Sequence, residues 1–160
     1  MNNMMDVQKF ITLRKIVQNC GITCEFIAED IDYENGCCWP LEKRICIFYN
    51  IHSPIDWQKK FYTLIHEFGH CMIRSENMKD FLEISNRIQD PIVLPYGLNQ
   101  KEKKQLWKME CNAWIDGFNS IDANLYPDIS ILPFIRQMLM SFLTPSKMIK
   151  KTLYTIYSII

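Results

Sequence analysis

Residues 61–72 run Phe61-Tyr62-Thr63-Leu64-Ile65-His66-Glu67-Phe68-Gly69-His70-Cys71-Met72. Phe61, Leu64, Ile65, Phe68 and Met72 recur at helical spacing and define a buried stripe, with Tyr62, His66 and His70 to one side of it. The stretch therefore reads as a helix lying on a core, with two imidazoles one turn apart on a common face. Upstream, Ser53-Pro54-Ile55-Asp56 supplies a start: Ser53 as N-cap, Pro54 at the first helical position, and Asp56 completing a capping box at the positive end of the dipole. That places His66 about three turns inside the helix. Gly69 costs about 1 kcal/mol of helix propensity relative to alanine, so another segment or a substrate is expected to pass close to the backbone there.

The pentapeptide His66-Glu67-Phe68-Gly69-His70 also has a chemical reading. Residues four apart on a helix can grip one ion, and the intervening Glu67 then faces a water held by that ion. Zinc suits the arrangement because it binds neutral imidazole, undergoes no redox, and lowers the pKa of a bound water from about 15.7 towards roughly 7. Glu67 is placed to take the proton from that water as it attacks a carbonyl and to pass it to the leaving amine. The bland alternative is an amphipathic helix with two histidines on its polar side.

Catalytic zinc sites usually have three protein ligands and an open fourth position. Of the three histidines, His52 lies just before this helix. The extended patterns HExxHxxH and HExxHxxGxxH fail, because Ile73, Arg74 and Glu76 stand where a further ligand or glycine would be needed. A carboxylate from a second helix is the expectation. The segment from Asn99 to about Phe118 opens with an Asn99/Glu102 capping pair and places Leu106, Glu110, Ala113, Trp114 and Gly117 on one face. Glu110 is the odd member, since burying an unpaired charge costs several kcal/mol. It is thus metal-bound, paired with a lysine such as Lys103, or at the solvent edge of the stripe. Asp116 is the second candidate ligand.

Together these residues resemble the ImmA/IrrE type of zinc metallopeptidase, whose members carry a HExGH helix and a later helix with a Glu-Ala-Asn/Asp-x-Phe-Ala signature. The counterparts are His66-Glu67-Phe68-Gly69-His70 and Glu110-Cys111-Asn112-Ala113-Trp114-Ile115, with Cys111, Trp114 and Ile115 departing from the second pattern. Leu143-Thr144-Pro145-Ser146-Lys147-Met148-Ile149 and Leu153 look like the short helix that closes such domains. The resemblance spans roughly residues 40–157 and is sharp only at the two motifs. It implies a zincin-like α+β domain, Zn2+ held by His66, His70 and Glu110, and Glu67 as general base. It further implies cleavage of an intracellular protein substrate, often a DNA-binding repressor in a stress or mobile-element circuit. With no helix-turn-helix segment in this sequence, such a transcriptional regulator is expected to be a separate protein.

Ahead of the motif the chain reads as β structure. Glu42 to Asn50 alternates, with Ile45, Ile47 and Tyr49 on one face and Arg44, Cys46 and Phe48 on the other. Such a strand is expected beside the active-site helix, its edge open to an extended substrate. Cys24 to Ile31 reads as an earlier strand, with Tyr33-Glu34-Asn35-Gly36 as the turn between them. Asp6 to Cys20 suggests a helix with Phe10, Leu13, Ile16 and Val17 on its apolar side. Pro127, Pro133 and Pro145 divide the remainder into short helices, the best running from Pro133 to Leu143. The fold class expected is α+β, mostly helical with a small N-terminal sheet, in a single domain over 1–160. A chain of 160 residues can bury about 70% of its unfolded surface without disulfide staples.

Eighteen basic and eighteen acidic residues cancel, so there is no basic footprint for nucleic acid; Lys101–Lys104 and Lys147–Lys151 read as solvated helix faces. Asp6, Lys9, Arg14 and Lys15 interrupt any secretory h-region, and the apolar tracts Ile129–Ile135, Met138–Leu143 and the last eight residues from Leu153 are too short for a bilayer. A cytoplasmic protein is expected, with no membrane partner. Seven cysteines without a CxxC pair read as reduced thiols. A second, structural zinc site from Cys20, Cys24, Cys37 and Cys38 is the minor alternative, and Cys71 and Cys111 are expected to fill core space. Tyr62, His52 and Tyr96 are candidates for steadying an oxyanion. Two rival functions fit the same residues: a non-catalytic zinc scaffold or sensor, and a zinc hydrolase of a non-peptide amide. Iron or manganese also suits a His/His/Glu site.

Overall fold

The computed structural model describes residues 4–30, 36–73, 78–79, 81–84, 97–127, 129–142 and 144–160. Helix α1 (Met4–Asn19) buries Phe10, Leu13 and Val17, and Ile16 is partly buried against the same core. It ends in a left-handed cap at Gly21, whose φ is 76°. The Gly21 amide donates to the Gln18 carbonyl and the Ile22 amide to that of Val17, the paired bonds that terminate many helices at a glycine. The chain then enters β1 (Thr23–Glu29), two residues shorter than Cys24 to Ile31 at its far end; residues 31–35, including most of the expected turn, lie outside the described set.

Gly36 does not close a turn but opens β2 (Gly36–Trp39), a strand the sequence reading did not separate. A 3-10 turn over Pro40–Glu42 and a left-handed Lys43 lead into β3 (Arg44–Asn50). Glu42 therefore belongs to the turn and not to the strand. The sheet order is β1-β3-β2, with β3 parallel to β1 and antiparallel to β2. Since β3 is central, both its edges are occupied, and among the described residues the edge open to an added strand at this end of the sheet belongs to β2. The expected alternation in β3 also fails at Cys46, which is buried between its cross-strand neighbours Glu25 and Cys37 and donates to the Glu25 carboxylate at 3.3 Å.

Helix α2 (Trp57–Cys71) starts at Asp56, whose carboxylate accepts the Lys59 amide at 3.0 Å. The start is thus one turn later than the Ser53/Pro54 reading, because a carboxylate positioned on an N3 amide caps better than the upstream serine, whose side chain satisfies no helix donor among the described residues. Phe61, Leu64, Ile65 and Phe68 are buried as the stripe required, but Met72 is 42% exposed because the helix has ended there. Every residue from Leu64 to His70 is buried, since α1 and the sheet cover one side and α3 (Gln100–Asn119) covers the other. Asn99 caps α3 through a complete capping box with Glu102, as its sequence indicated. The helix α4 (Ile131–Ser141) begins two residues before Pro133, which fits because a proline in the first turn removes no intrahelical donor. Helix α5 (Ser146–Tyr157) follows Pro145 and packs on α3 and α4. The architecture is α+β, with α1 and α2 packed on a small mixed sheet and α3, α4 and α5 gathered on the far side of α2.

The α2/α3 crossing is set by two glycines. A Cβ on Gly69 would overlap the carbonyl of Ala113, and one on Gly117 would overlap the carbonyl of Ile65. The expected close passage at Gly69 is thus a helix backbone, and the two glycines bring the main chains nearer than side chains would allow. Gly69→Ala forces backbone to move, so despite its better helix propensity it is expected to destabilise by about 1–3 kcal/mol; the midpoint of urea unfolding would measure the change, and a variant as stable as wild type would contradict the geometry.

Candidate metal centre

His66 and His70 project from successive turns of α2, and Glu110 reaches them from the middle of α3; all three are 5% exposed. His66 Nε2 lies 3.1 Å from His70 Nε2 and 3.1 Å from Glu110 Oε2, and His70 Nε2 lies 3.6 Å from the same oxygen. Among the described residues this is the group of histidine, cysteine and carboxylate side chains whose ligand atoms converge closely enough to hold a metal ion. Glu110 meets the two histidines, not Lys103, and Asp116, one and a half turns further on, is outside the group.

When both imidazoles carry their proton on Nδ1, the three converging atoms are all lone-pair acceptors, a set that a cation or a proton on one Nε2 would bridge. Glu110 Oε2 is buried and makes no hydrogen bond of good alignment despite its short distances. Ligands at roughly 2.0–2.1 Å from a small divalent ion with tetrahedral geometry lie about 3.3 Å from one another, which is the spacing these three atoms already have. The group can therefore hold a metal ion without rearrangement. The rings are fixed by aromatic packing, His66 against Trp114 at 4.7 Å and His70 against Phe81 at 5.7 Å. Neither Nδ1 has a hydrogen-bond partner among the described residues, a departure from the usual acceptor behind a ligating histidine.

The electrostatics of the group are mutual. Burial alone would push the Glu110 carboxyl up, but His70 and His66 hold it far below the usual carboxylate range. Burial would depress the His70 imidazole, yet Glu110 and Glu67 raise it. Glu67 is 8% exposed and shifted the other way from Glu110: burial raises its carboxyl, with His66 and His70 opposing. Burial and the shared imidazoles thus shift two neighbouring carboxyls in opposite directions, Glu110 down and Glu67 up.

A cavity of about 340 Å3 opens beside the group. Its floor is His66, Glu67, His70 and Glu110, and one rim is the start of β2. Gly36 lies directly against Glu67: a Cβ there would stand 2.9 Å from the Glu67 Cγ and from the Thr63 and Ile47 methyls. Cys38, also on this rim, acts against the effect of burial on the Glu67 carboxyl. Sequence reading missed this rim because four residues of strand are too few for a period to show. The presumed oxyanion groups fare differently. Tyr62 is buried with its hydroxyl 3.3 Å from Ser130 Oγ and does not line the cavity. His52 is a surface residue paired with Asp30 at 2.7 Å, and Tyr96 lies outside the described residues.

The cysteines Cys20, Cys24, Cys37 and Cys38 do not assemble into a second group, Cys20 being exposed and Cys24 buried. Cys111 is in the core and Cys71 packs against it. Burial raises Cys24 and Cys46 to about 11 and Cys37 to about 12, so these thiols stay protonated near neutrality.

No protein-family model, curated protein or solved structure matches this chain.

Two measurements follow from the geometry. Elemental analysis after metal loading should give one divalent ion per chain, and Glu110→Ala should weaken its binding by more than about 100-fold, beyond what loss of an outer-shell partner causes; equal affinity would remove Glu110 from the ligand set. Alkylation of native protein at pH 7.5 should modify Cys20 first and leave Cys24, Cys46 and Cys111 unmodified until denaturant is added, as peptide mass spectrometry would show.

Proposed function

We propose that this protein is a zinc-dependent peptidase of the ImmA/IrrE type, with a zincin-like domain that hydrolyses a peptide bond in an intracellular protein. The observation that carries the reading is Glu67: a buried carboxyl with a raised pKa beside a ligand group that faces a cavity. A purely structural metal site is closed and has no use for a base at its open side. His66, His70 and Glu110 would hold the zinc, and two neutral imidazoles with one carboxylate are a donor set that zinc accepts. When bound, zinc supplies Lewis acidity towards a carbonyl and lowers the pKa of a water.

The chain's own residues do the rest. Glu67, kept from solvent, accepts the proton of the attacking water. Its raised pKa makes it a competent acid afterwards, so the same carboxyl returns the proton to the departing amine nitrogen. The rim strand β2, paired on one side only among the described residues, offers main-chain groups along which an extended substrate backbone can add as a further strand. The buried rings of Trp114 and Phe81 exclude water from the far side of the imidazoles. The protein substrate that the family resemblance suggests is a separate transcriptional regulator.

Glu67→Gln keeps the shape of the side chain and the ligand group but removes the base. It is expected to bind zinc as wild type does and to lose roughly 10²–10⁴-fold in turnover of a peptide library. Undiminished turnover would end the peptidase mechanism, and undiminished biological function with no turnover in either protein would favour a scaffold.

A further inference from the structure

The cavity is not uniformly polar. Besides the ligand group, its lining includes Leu106 and Met109 of α3 and Phe134, Met138 and Phe142 at the α4 end. Leu106, Met109 and Phe142 belong to a small apolar cluster, while Phe134 and Met138 pack on the main core. The cavity is therefore the seam between two apolar cores. Met109, Phe134, Met138 and Phe142 are each only partly buried, which leaves large apolar surface facing the opening. The wall is held in place, since the Trp107 indole on α3 donates to the Phe142 carbonyl at 2.8 Å and so ties the end of α4 to α3.

Charge sharpens the contrast. Apart from His66, Glu67, His70 and Glu110, none of the described lining residues is ionisable at neutral pH; the Cys37 thiol, raised to about 12, stays neutral. A divalent ion would neutralise the two carboxylates on the floor, so a charged side chain entering the seam would lose its hydration with no partner to meet it among the described residues. An apolar side chain would lose nothing and would remove the exposed faces of Met138 and Phe134 from water. At about 340 Å3 the volume is at the low end for ligand sites, room for one large side chain and a short length of backbone.

Resting on the peptidase reading above, we propose that this seam is a specificity subsite that takes a bulky apolar side chain, of leucine, methionine or phenylalanine size, adjacent to the peptide bond presented to His66, His70 and Glu110. Met138 and Phe134 are the specificity-determining residues. The protein substrate would then be one whose cleaved segment exposes a large apolar residue, a feature of segments that are extended or locally unfolded when they reach the site.

The test uses N-acetyl amino-acid hydroxamates of leucine, phenylalanine, aspartate and lysine, which chelate the metal through one common group and differ only in the side chain. Their affinity for the zinc-loaded protein is measured by calorimetry, which needs no turnover. The leucine and phenylalanine compounds are expected to bind at least about tenfold more tightly than those of aspartate and lysine. Met138→Glu should abolish that preference and favour lysine. Met138→Ala, which adds no charge and keeps the helix, should reduce the leucine preference if the glutamate variant fails to fold. Zinc loading and equal affinity for all four hydroxamates would overturn the subsite while leaving the metal centre standing. Failure of the protein to take up zinc or to bind any hydroxamate would overturn the peptidase reading itself, and the subsite with it.

Discussion

The contact on which the structure depends is the near approach of two helix backbones at Gly69 and Gly117. Helices ordinarily pack with their axes held about 8–10 Å apart by side chains. Here Ala113 and Ile65 carbonyls occupy the space where Cβ atoms would be. That approach lets a glutamate, a short side chain for spanning helices, reach from α3 to two imidazoles on α2. A larger residue at either glycine would hold Glu110 away from His66 and His70, and the three acceptors would become separate buried polar groups, each carrying its desolvation penalty.

The same proximity explains the electrostatics. A carboxylate that is 5% exposed in an apolar core is tolerable only with compensation, and His66 and His70 provide it. Glu110 Oε2, His66 Nδ1 and His70 Nδ1 nevertheless lack well-aligned hydrogen bonds among the described residues. Natural cores seldom leave several such atoms together. A metal ion held by this group would be energetically linked to the fold, since whatever binds the native group and not the unfolded chain raises stability.

Around that centre the remaining elements have separable tasks. The sheet and α1 support one side of α2, through Ile45, Ile47, Leu13 and Phe10 in a common core, and deliver Gly36 and Cys38 to Glu67. Helices α4 and α5 close the other end, and α4 joins α3 in the apolar wall. Glu67 sits at the boundary, touched by a strand that has no Cβ at the point of contact. Its environment differs from that of Glu110 by geometry alone, which is why two identical carboxyls a few residues' width apart shift in opposite directions.

Much of this was legible in the linear chain, and what was legible is local. Helical spacing in residues 61–72, the Asn99/Glu102 capping box and the apolar face around Glu110 are properties of neighbours within one or two turns, so the periodicity of a helix suffices to read them. Even the anomaly at Gly69 and the lone acid at Glu110 could be recognised as departures that needed an explanation. Only the tertiary structure decided what the explanations were. The partner of Gly69 is forty-four residues away at Ala113, the strand order β1-β3-β2 puts β2 and not β3 at the rim, and the wall of the cavity draws on two helices and two cores. Those pairings depend on which surfaces meet after the chain has folded back on itself, and no repeat or spacing along the backbone encodes them.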